Sequence, residues 1–241
     1  MILLLKFCLI CFLESAASEL SRNEAKEKVL RSNPQIAPEF PLNVSVGFDI
    51  ISLDSVDFET NTISLSGWLS LTWTNPDLSW ETSDSEISKI HLPANELWKP
   101  DITVWNDIKT TGAGPVFGAP DWKTGNAIVQ SDGHIIYVPK IHFTSTCDLQ
   151  LADNGTAWSQ QRCVVKMGSW SHNALDIDLE TAGDDFTMNH DNEHRCWKIA
   201  SVSAKRNEVK YACCPEPYVD IMYELMLEKT QFAGREIYCR D

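Results

Sequence analysis

At 241 residues the chain is long enough for one large or two small domains with a substantial buried core. Its composition, 43% hydrophobic and 22% charged, excludes wholesale disorder. The 34 acidic residues against 20 basic ones leave a net charge of −14, which argues against nucleic acid as a partner and favours a cationic ligand or metal over an anionic one.

The first eighteen residues, 1–18, hold an apolar run with a single Lys6, then Ala16, Ala17 and Ser18. That layout reads as a secretory signal peptide, and the run is too short to span a bilayer. No other segment approaches membrane-span length, so the expected product is a soluble, secreted, extracellular domain over 19–241 with no membrane partner. Removal of Cys8 and Cys11 with the leader leaves six cysteines, 147, 163, 196, 213, 214 and 239. An even count in an oxidising compartment points to three disulfides. The sequons at Asn43 and Asn154 agree with export.

From Glu19 to Arg31 the residues favour a helix, with Leu20, Ala25 and Val29 near one face. Pro34, Pro38 and Pro41 break it. Alternating Leu42, Val44, Val46 and Phe48 then open a series of short strands. Further strands are expected over 67–73, 126–129, 134–138, 164–167, 174–179, 197–202 and 218–227, with Ser131-Asp132-Gly133 as a tight turn. Many short strands, no alternating helices and no repeat predict an all-β fold, one antiparallel β-sandwich behind a short N-terminal α-helix. Trp73, Trp80 and Trp98 read as packing residues.

Cys213-Cys214 is the most informative pair. Neighbouring Cα atoms lie about 3.8 Å apart, below the usual disulfide range of roughly 4.4 to 6.8 Å, so adjacent cysteines more often take other partners. Here Tyr211 and Tyr218 flank the pair, and the segment reads as a stiffened hairpin tip carrying aromatics. Cys147 and Cys163 are followed closely by Gly168-Ser169-Trp170.

With these segments in view, the chain resembles the acetylcholine-binding proteins, secreted relatives of the extracellular domain of Cys-loop ligand-gated ion channels. The amino-terminal helix, Trp68 to Trp73 with Leu78 and Trp80, Leu97-Trp98-Lys99-Pro100-Asp101, Ser131-Asp132-Gly133, the Cys147 loop, Gly168-Ser169-Trp170 and the Tyr-x-Cys-Cys-x-x-x-Tyr segment occur in family order. The resemblance implies an immunoglobulin-like sandwich of about ten strands and a homopentamer that binds small cationic amines, acetylcholine or nicotine-like, between subunits. It implies a principal face of Trp105, Trp170, Tyr211, Cys213, Cys214 and Tyr218, and a complementary face of Trp68, Ile128, Ile136 and Val138. It pairs Cys147 with Cys163 and Cys213 with Cys214, leaving Cys196 for Cys239. Aromatic faces attract a quaternary or protonated amine, Trp most strongly.

The sequence departs from the family in three respects. Trp105 stands where the family usually has Tyr. The Cys147 loop is longer than usual and lacks an apolar tip of the Phe-Pro-Phe type. Cys196 and Cys239 have no obvious counterpart. The chain could also be the extracellular part of a receptor subunit without its membrane domain, against which its leader and charged tail weigh. A third reading is a secreted metal-binding protein using His190, Asp191, Glu193, His194 and Cys196. No nucleophile motif supports an enzyme, Gly112 to Gly118 lacks the setting of a dinucleotide loop, and no cofactor is implied.

Overall fold

In a computed structural model of the chain, residues 21–82, 87–108, 125–153, 155, 158–183 and 196–230 are described. Helix α1, Arg22–Arg31, starts at Ser21, whose side chain accepts from the Glu24 backbone N–H while the Glu24 carboxylate accepts from the Ser21 N–H. This reciprocal cap satisfies two N–H groups that the first turn leaves without partners. Ala25 and Val29 are buried as the helical spacing requires, whereas Leu20 lies outside the described residues.

Among the described residues eleven strands follow: β1 Leu42–Asp57, β2 Thr62–Thr74, β3 Lys89–Pro93, β4 Ile102–Val104, β5 Asn126–Gln130, β6 His134–Tyr137, β7 Lys140–Thr146, β8 Gln160–Ser169, β9 Ile177–Thr181, β10 Trp197–Lys210 and β11 Pro217–Lys229. They form two sheets. The larger runs β3-β5-β6-β2-β1-β9, with β7 also paired to β2, and the smaller runs β10-β11-β8-β4. Long β2 takes two partners in succession, β7 along Thr62 to Trp68 and β6 along Leu71 to Thr74. One pairing departs from the expected antiparallel pattern: β1 and β9 run parallel, Leu42 opposite Ile177. The chain reaches β9 only after crossing to the smaller sheet for β8, so it can enter the far edge of the larger sheet in either direction.

The core lies between the sheets. Phe48 of β1 packs on Phe143 of β7 and on Tyr223 of β11, at ring separations of 5.5 and 5.9 Å. The buried Tyr223 hydroxyl donates to the Val46 carbonyl oxygen at 3.1 Å, satisfying its polar end while the ring contributes apolar area. Burial of each such side chain is worth about 1.5–3 kcal/mol. Trp73 and Trp80 are buried, and half-buried Trp98 meets Trp73 edge-on at 6.2 Å, so all three are packing residues as expected. Gly133 supplies the turn between β5 and β6 at φ +83°, a conformation glycine adopts without a Cβ penalty.

Two disulfides have both partners described: Cys147–Cys163, with Cα atoms 5.0 Å apart, and the vicinal Cys213–Cys214. The first closes a loop between β7 of one sheet and β8 of the other, a closure worth about 3 kcal/mol at this loop length. Cys196 is disulfide-bonded as well. Its expected partner Cys239 lies outside the described residues, as do the leader, Asn154, the 112–118 loop and His190 to His194.

Candidate functional site

Trp170 follows the last residue of β8 and is 74% exposed, the most exposed large hydrophobic residue among those described. A free tryptophan at a strand end would sample many rotamers, but here the backbone on both sides is tied to one carboxylate. Asp101, just before β4, accepts from the Ser169 hydroxyl, from the Ser171 N–H at 2.7 Å and from the Ser171 hydroxyl at 2.7 Å. The Trp170 N–H donates to the Asp101 carbonyl oxygen at 3.3 Å. His172 Nδ1 stands 3.2 Å from Asp101 Oδ1, and its ring packs on Phe40 with centroids 5.3 Å apart. Burial pushes the Asp101 carboxyl up, but the hydrogen bonds from Ser169, Ser171 and His172 outweigh it and hold the group below its usual range.

Trp105 lies at the exit of β4, over Gly168 of β8. Its indole N–H donates to the Gly168 carbonyl oxygen at 3.2 Å, and its backbone N–H to Lys166 at 2.8 Å. A Cβ at Gly168 would stand 2.5 Å from Trp105 Cζ2, so glycine is what lets the ring lie flat against the strand. The next residue, Asn106, fastens this exit to both sheets. Its amide donates to Ser145 Oγ of β7 at 2.7 Å and to the Val164 carbonyl oxygen of β8 at 2.8 Å, and its oxygen accepts from Lys166 N–H at 3.0 Å.

The third contribution comes from the hairpin of β10 and β11, paired from Trp197 opposite Lys229 to Lys210 opposite Pro217 with one register shift between Ile199 and Ser201. Its tip, 211–216, carries the vicinal disulfide. Tyr211, 46% exposed, meets half-buried Tyr218 edge-on at 5.7 Å. The tip end of the hairpin is anchored near the Trp170 loop through Ala174 N–H donating to Pro217 at 2.8 Å. Trp105, Trp170, Tyr211, Cys213, Cys214 and Tyr218 thus all come from the β4, β8, β10 and β11 segments of the smaller sheet.

The four residues expected to complete the site lie on the larger sheet. Trp68 of β2 is 42% exposed, since Leu69 and Gly67 on either side of it face inward. Ile136 of β6 pairs with Ile128 of β5 and with Thr72 of β2. Val138 follows two residues later on the same outward side, before Lys140 pairs with Trp68. Period-two alternation therefore collects Trp68, Ile128, Ile136 and Val138 on one outward sheet face. The two expected half-sites occupy different sheets of the sandwich.

Sequence reasoning missed the residues that hold the aromatics. Asp101 and Gly168 were visible only as members of larger motifs, and Asn106 carried no signal. Hydroxyls on both sides of Trp170 were the one local hint that a carboxylate or histidine would be needed nearby. Among the described residues no group of three His, Cys, Asp or Glu side chains could hold a metal. The disulfide at Cys196 removes its thiolate from the metal-binding reading. Asn43 is exposed on β1.

Residues 24–230 match the family model described as neurotransmitter-gated ion-channel ligand binding domain. The chain is 29% identical over 196 residues to the acetylcholine receptor subunit alpha-type acr-16 of Caenorhabditis elegans, covering 80% of this chain and 38% of that protein. It is 30% identical over 190 residues to the neuronal acetylcholine receptor subunit alpha-6 of Rattus norvegicus, covering 78% of this chain and 37% of the relative. The human alpha-6 subunit matches to the same extent. The chain therefore spans well under half the length of these relatives, and among the described residues no helix is long and apolar enough to cross a membrane.

Proposed function

The chain belongs to the neurotransmitter-gated ion-channel ligand-binding domain family, and we propose that it binds small cationic amines of the acetylcholine and nicotine type in an aromatic cage between subunits of a homopentamer. Membership makes it a ligand-binding domain rather than an enzyme. The observation that carries the proposal is Trp170: an indole left 74% exposed, on a backbone tied to Asp101 on both sides, has little packing role to explain it. With the backbone on both sides already fixed, less has to be ordered when a cation meets the ring, and so less of the attraction is offset.

Tyr211, Tyr218 and Trp105 would form the other walls of the principal face, and Trp68, Ile128, Ile136 and Val138 the apolar wall supplied by the neighbour. The indole N–H of Trp105 is already satisfied by Gly168, so Trp105 offers the ligand only a π face. That favours fully substituted ammonium groups, which need no hydrogen-bond partner. The leader-like start supports secretion as a soluble extracellular protein, with a glycan at exposed Asn43. A second reading, the extracellular part of a receptor subunit, is favoured by relatives of which the chain spans only 38%.

Titrating the purified protein with carbamoylcholine and nicotine while following intrinsic tryptophan fluorescence tests the proposal. Saturable quenching is expected, and Trp170→Ala should weaken it by about two decades with assembly and thermal unfolding unchanged. The energy behind that figure is about 2 kcal/mol or more for a desolvated cation-π wall, plus its packing. Unaltered affinity in the variant would make Trp170 a bystander and remove the proposal's basis.

A further inference from the structure

The strand that leads to Tyr211 is held on one side only, whereas the strand it pairs with is held on both. β11 lies between β10 and β8. Its ladder to β8 runs from Glu228 opposite Gln160 to Asp220 opposite Gly168, and the Pro217 carbonyl oxygen beyond it accepts from the Ala174 N–H. β10 is the edge of the smaller sheet and pairs with β11 alone. A two-stranded ribbon fixed along one strand can still roll about that strand, because ladder bonds to one neighbour leave its twist free to vary. The free part of this ribbon begins where the β8 ladder stops. There Arg206 stands opposite Ile221, one step before Asn207 opposite Asp220.

Arg206 ties this root to the other sheet. Period-two alternation sets it on the face of β10 that also carries Val202 and Ala204, both packed on the core. From that face its side chain reaches β9, the edge of the larger sheet. Nη2 and Nε donate to Asp178 Oδ1 at 2.7 and 3.2 Å, and Nε also donates to the Leu179 carbonyl oxygen at 3.1 Å. Nη1 donates at 3.2 Å to Glu208 Oε2, on the first residue of the free part. The acceptor is set in advance, because Asp178 Oδ1 accepts from the Leu179 N–H at 2.8 Å as well. Among the described residues from Val202 to Lys210, Arg206 alone reaches a strand beyond the hairpin by a side-chain hydrogen bond; Asn207 bonds to Asp220 within it.

We propose that Arg206 is a positioning residue for the amine cage: its tie to Asp178 and Leu179 fixes the roll of the hairpin, and with it the place of Tyr211. The effect on affinity rests on the amine reading; the effect on the hairpin does not. At about 3.3 Å per residue Arg206 lies roughly 16 Å along the strand from Tyr211, so it acts through β10 and does not touch the ligand. Its reach is bounded. Arg206 and Asp178 keep 38% and 45% of their side-chain surface in solvent, and exposed pairs are individually weak. Loss of the tie thins the population of cage-competent hairpins, and apparent affinity falls by the same factor, roughly two- to fivefold rather than decades.

The test compares the assembled parent with Arg206→Gln, Arg206→Lys, Asp178→Asn and the double variant Arg206→Gln/Asp178→Asn. Hydrogen exchange reads the hairpin without a ligand. Amides of 208–216 should exchange roughly two to five times faster in Arg206→Gln, with the excess confined to the hairpin, because the tie opposes local opening there. The thermal midpoint should fall by no more than about 2–4 °C, the most that loss of one such pair allows. Carbamoylcholine should bind this variant more weakly by a similar factor. Arg206→Lys, which keeps one charged contact but not the fork, should fall between it and the parent. Asp178→Asn should match Arg206→Gln, and the double variant should be no worse than either single, since both changes remove one interaction. Unchanged exchange at the tip, additive losses in the double variant, or exchange raised equally throughout both sheets overturns the assignment. Faster tip exchange with unaltered carbamoylcholine affinity overturns the role in the cage. Failure of the amine reading would show differently, as absence of carbamoylcholine binding to the parent with the exchange difference intact.

Discussion

Asp101 is the residue on which the geometry of Trp170 turns, and its charge state gives that geometry a pH dependence. Folding depresses its carboxyl pKa, so its contribution is fully present above the ordinary aspartate value, about 3.9. It is lost as pH falls through the lower folded value. Amine affinity attributable to this group should therefore hold from neutrality to below the ordinary aspartate value and fall only as pH drops through the lower folded one. Asp101→Asn should weaken binding at neutral pH by roughly tenfold, the energy of a lost charged hydrogen bond, because an amide offers one acceptor oxygen where the two serines need both. The variant should also lose the low-pH step, and a step that persists would place its origin elsewhere. Gly168→Ala should act through Trp105 instead. The added methyl would stand 2.5 Å from the indole and 2.9 Å from the Val219 carbonyl oxygen, so either the ring is expelled or β8 shifts. Overpacking of this kind costs about 1–3 kcal/mol, measurable as a lower denaturation midpoint together with altered amine selectivity.

Strand elements show why parts of the fold were legible in the sequence and others were not. Alternation from Leu42 to Phe48 announces β1, but irregularities between Ile50 and Ser52 and between Leu53 and Ser55 break the period-two pattern and hide its continuation to Asp57. Strand β7 escaped notice because two of its buried positions are polar. Thr144 is buried against Ser64 through a 2.8 Å hydroxyl contact, and Ser145 accepts from Asn106. Strand β4 has three residues, and β3 is a short run ending at Pro93. Half of β10 was missed for the opposite reason: from Val202 to Lys210 no side chain is fully buried, and even Val202, Ala204, Asn207 and Val209 are only partly covered, so no fully apolar buried face marks the strand. The aromatics of the candidate site were readable because each sits in a compact local motif. Their supports were not, because Asp101 and Ser169 meet across 68 residues and Asn106 and Val164 across 58. The remaining cystine belongs to this scale. Cys196 stands immediately before β10, and Lys229, the last residue of β11, lies opposite Trp197, so a bond from Cys196 to Cys239 would join the tail to the base of the hairpin. Non-reducing peptide mapping should find that pair beside Cys147–Cys163 and Cys213–Cys214. Disulfide-linked dimers on a non-reducing gel would instead assign Cys196 to a bridge between subunits.

At the scale of the whole molecule, the two proposed half-sites lie on different sheets. Trp170 and the hairpin tip belong to the smaller sheet, and Trp68 with Ile136 to the outward side of the larger one. One subunit cannot fold its own larger sheet onto its own hairpin tip, because the hydrophobic core holds the sheets together by their opposite faces. The halves meet only if the smaller-sheet side of one copy docks on the larger-sheet side of the next. Such a contact is head-to-tail, and repeated with a fixed rotation it closes into a ring. Light scattering should therefore return a mass close to five times that of the subunit, whether or not an amine is present. A complementation experiment reaches further, because it tests where each half-site comes from. Trp170→Ala should cripple the principal face and Trp68→Ala the complementary face, each leaving assembly intact, so either variant alone should lose most high-affinity carbamoylcholine binding. Equal co-expression gives each subunit an even chance of carrying either lesion. In about a quarter of interfaces an intact Trp170 then meets an intact Trp68 across a head-to-tail contact. Mixed rings should regain close to that fraction of the parental binding capacity, at parental affinity. Co-expressed variants that bind no better than the single variants, in rings shown to contain both, would place Trp170 and Trp68 in one subunit's site and refute the shared cage.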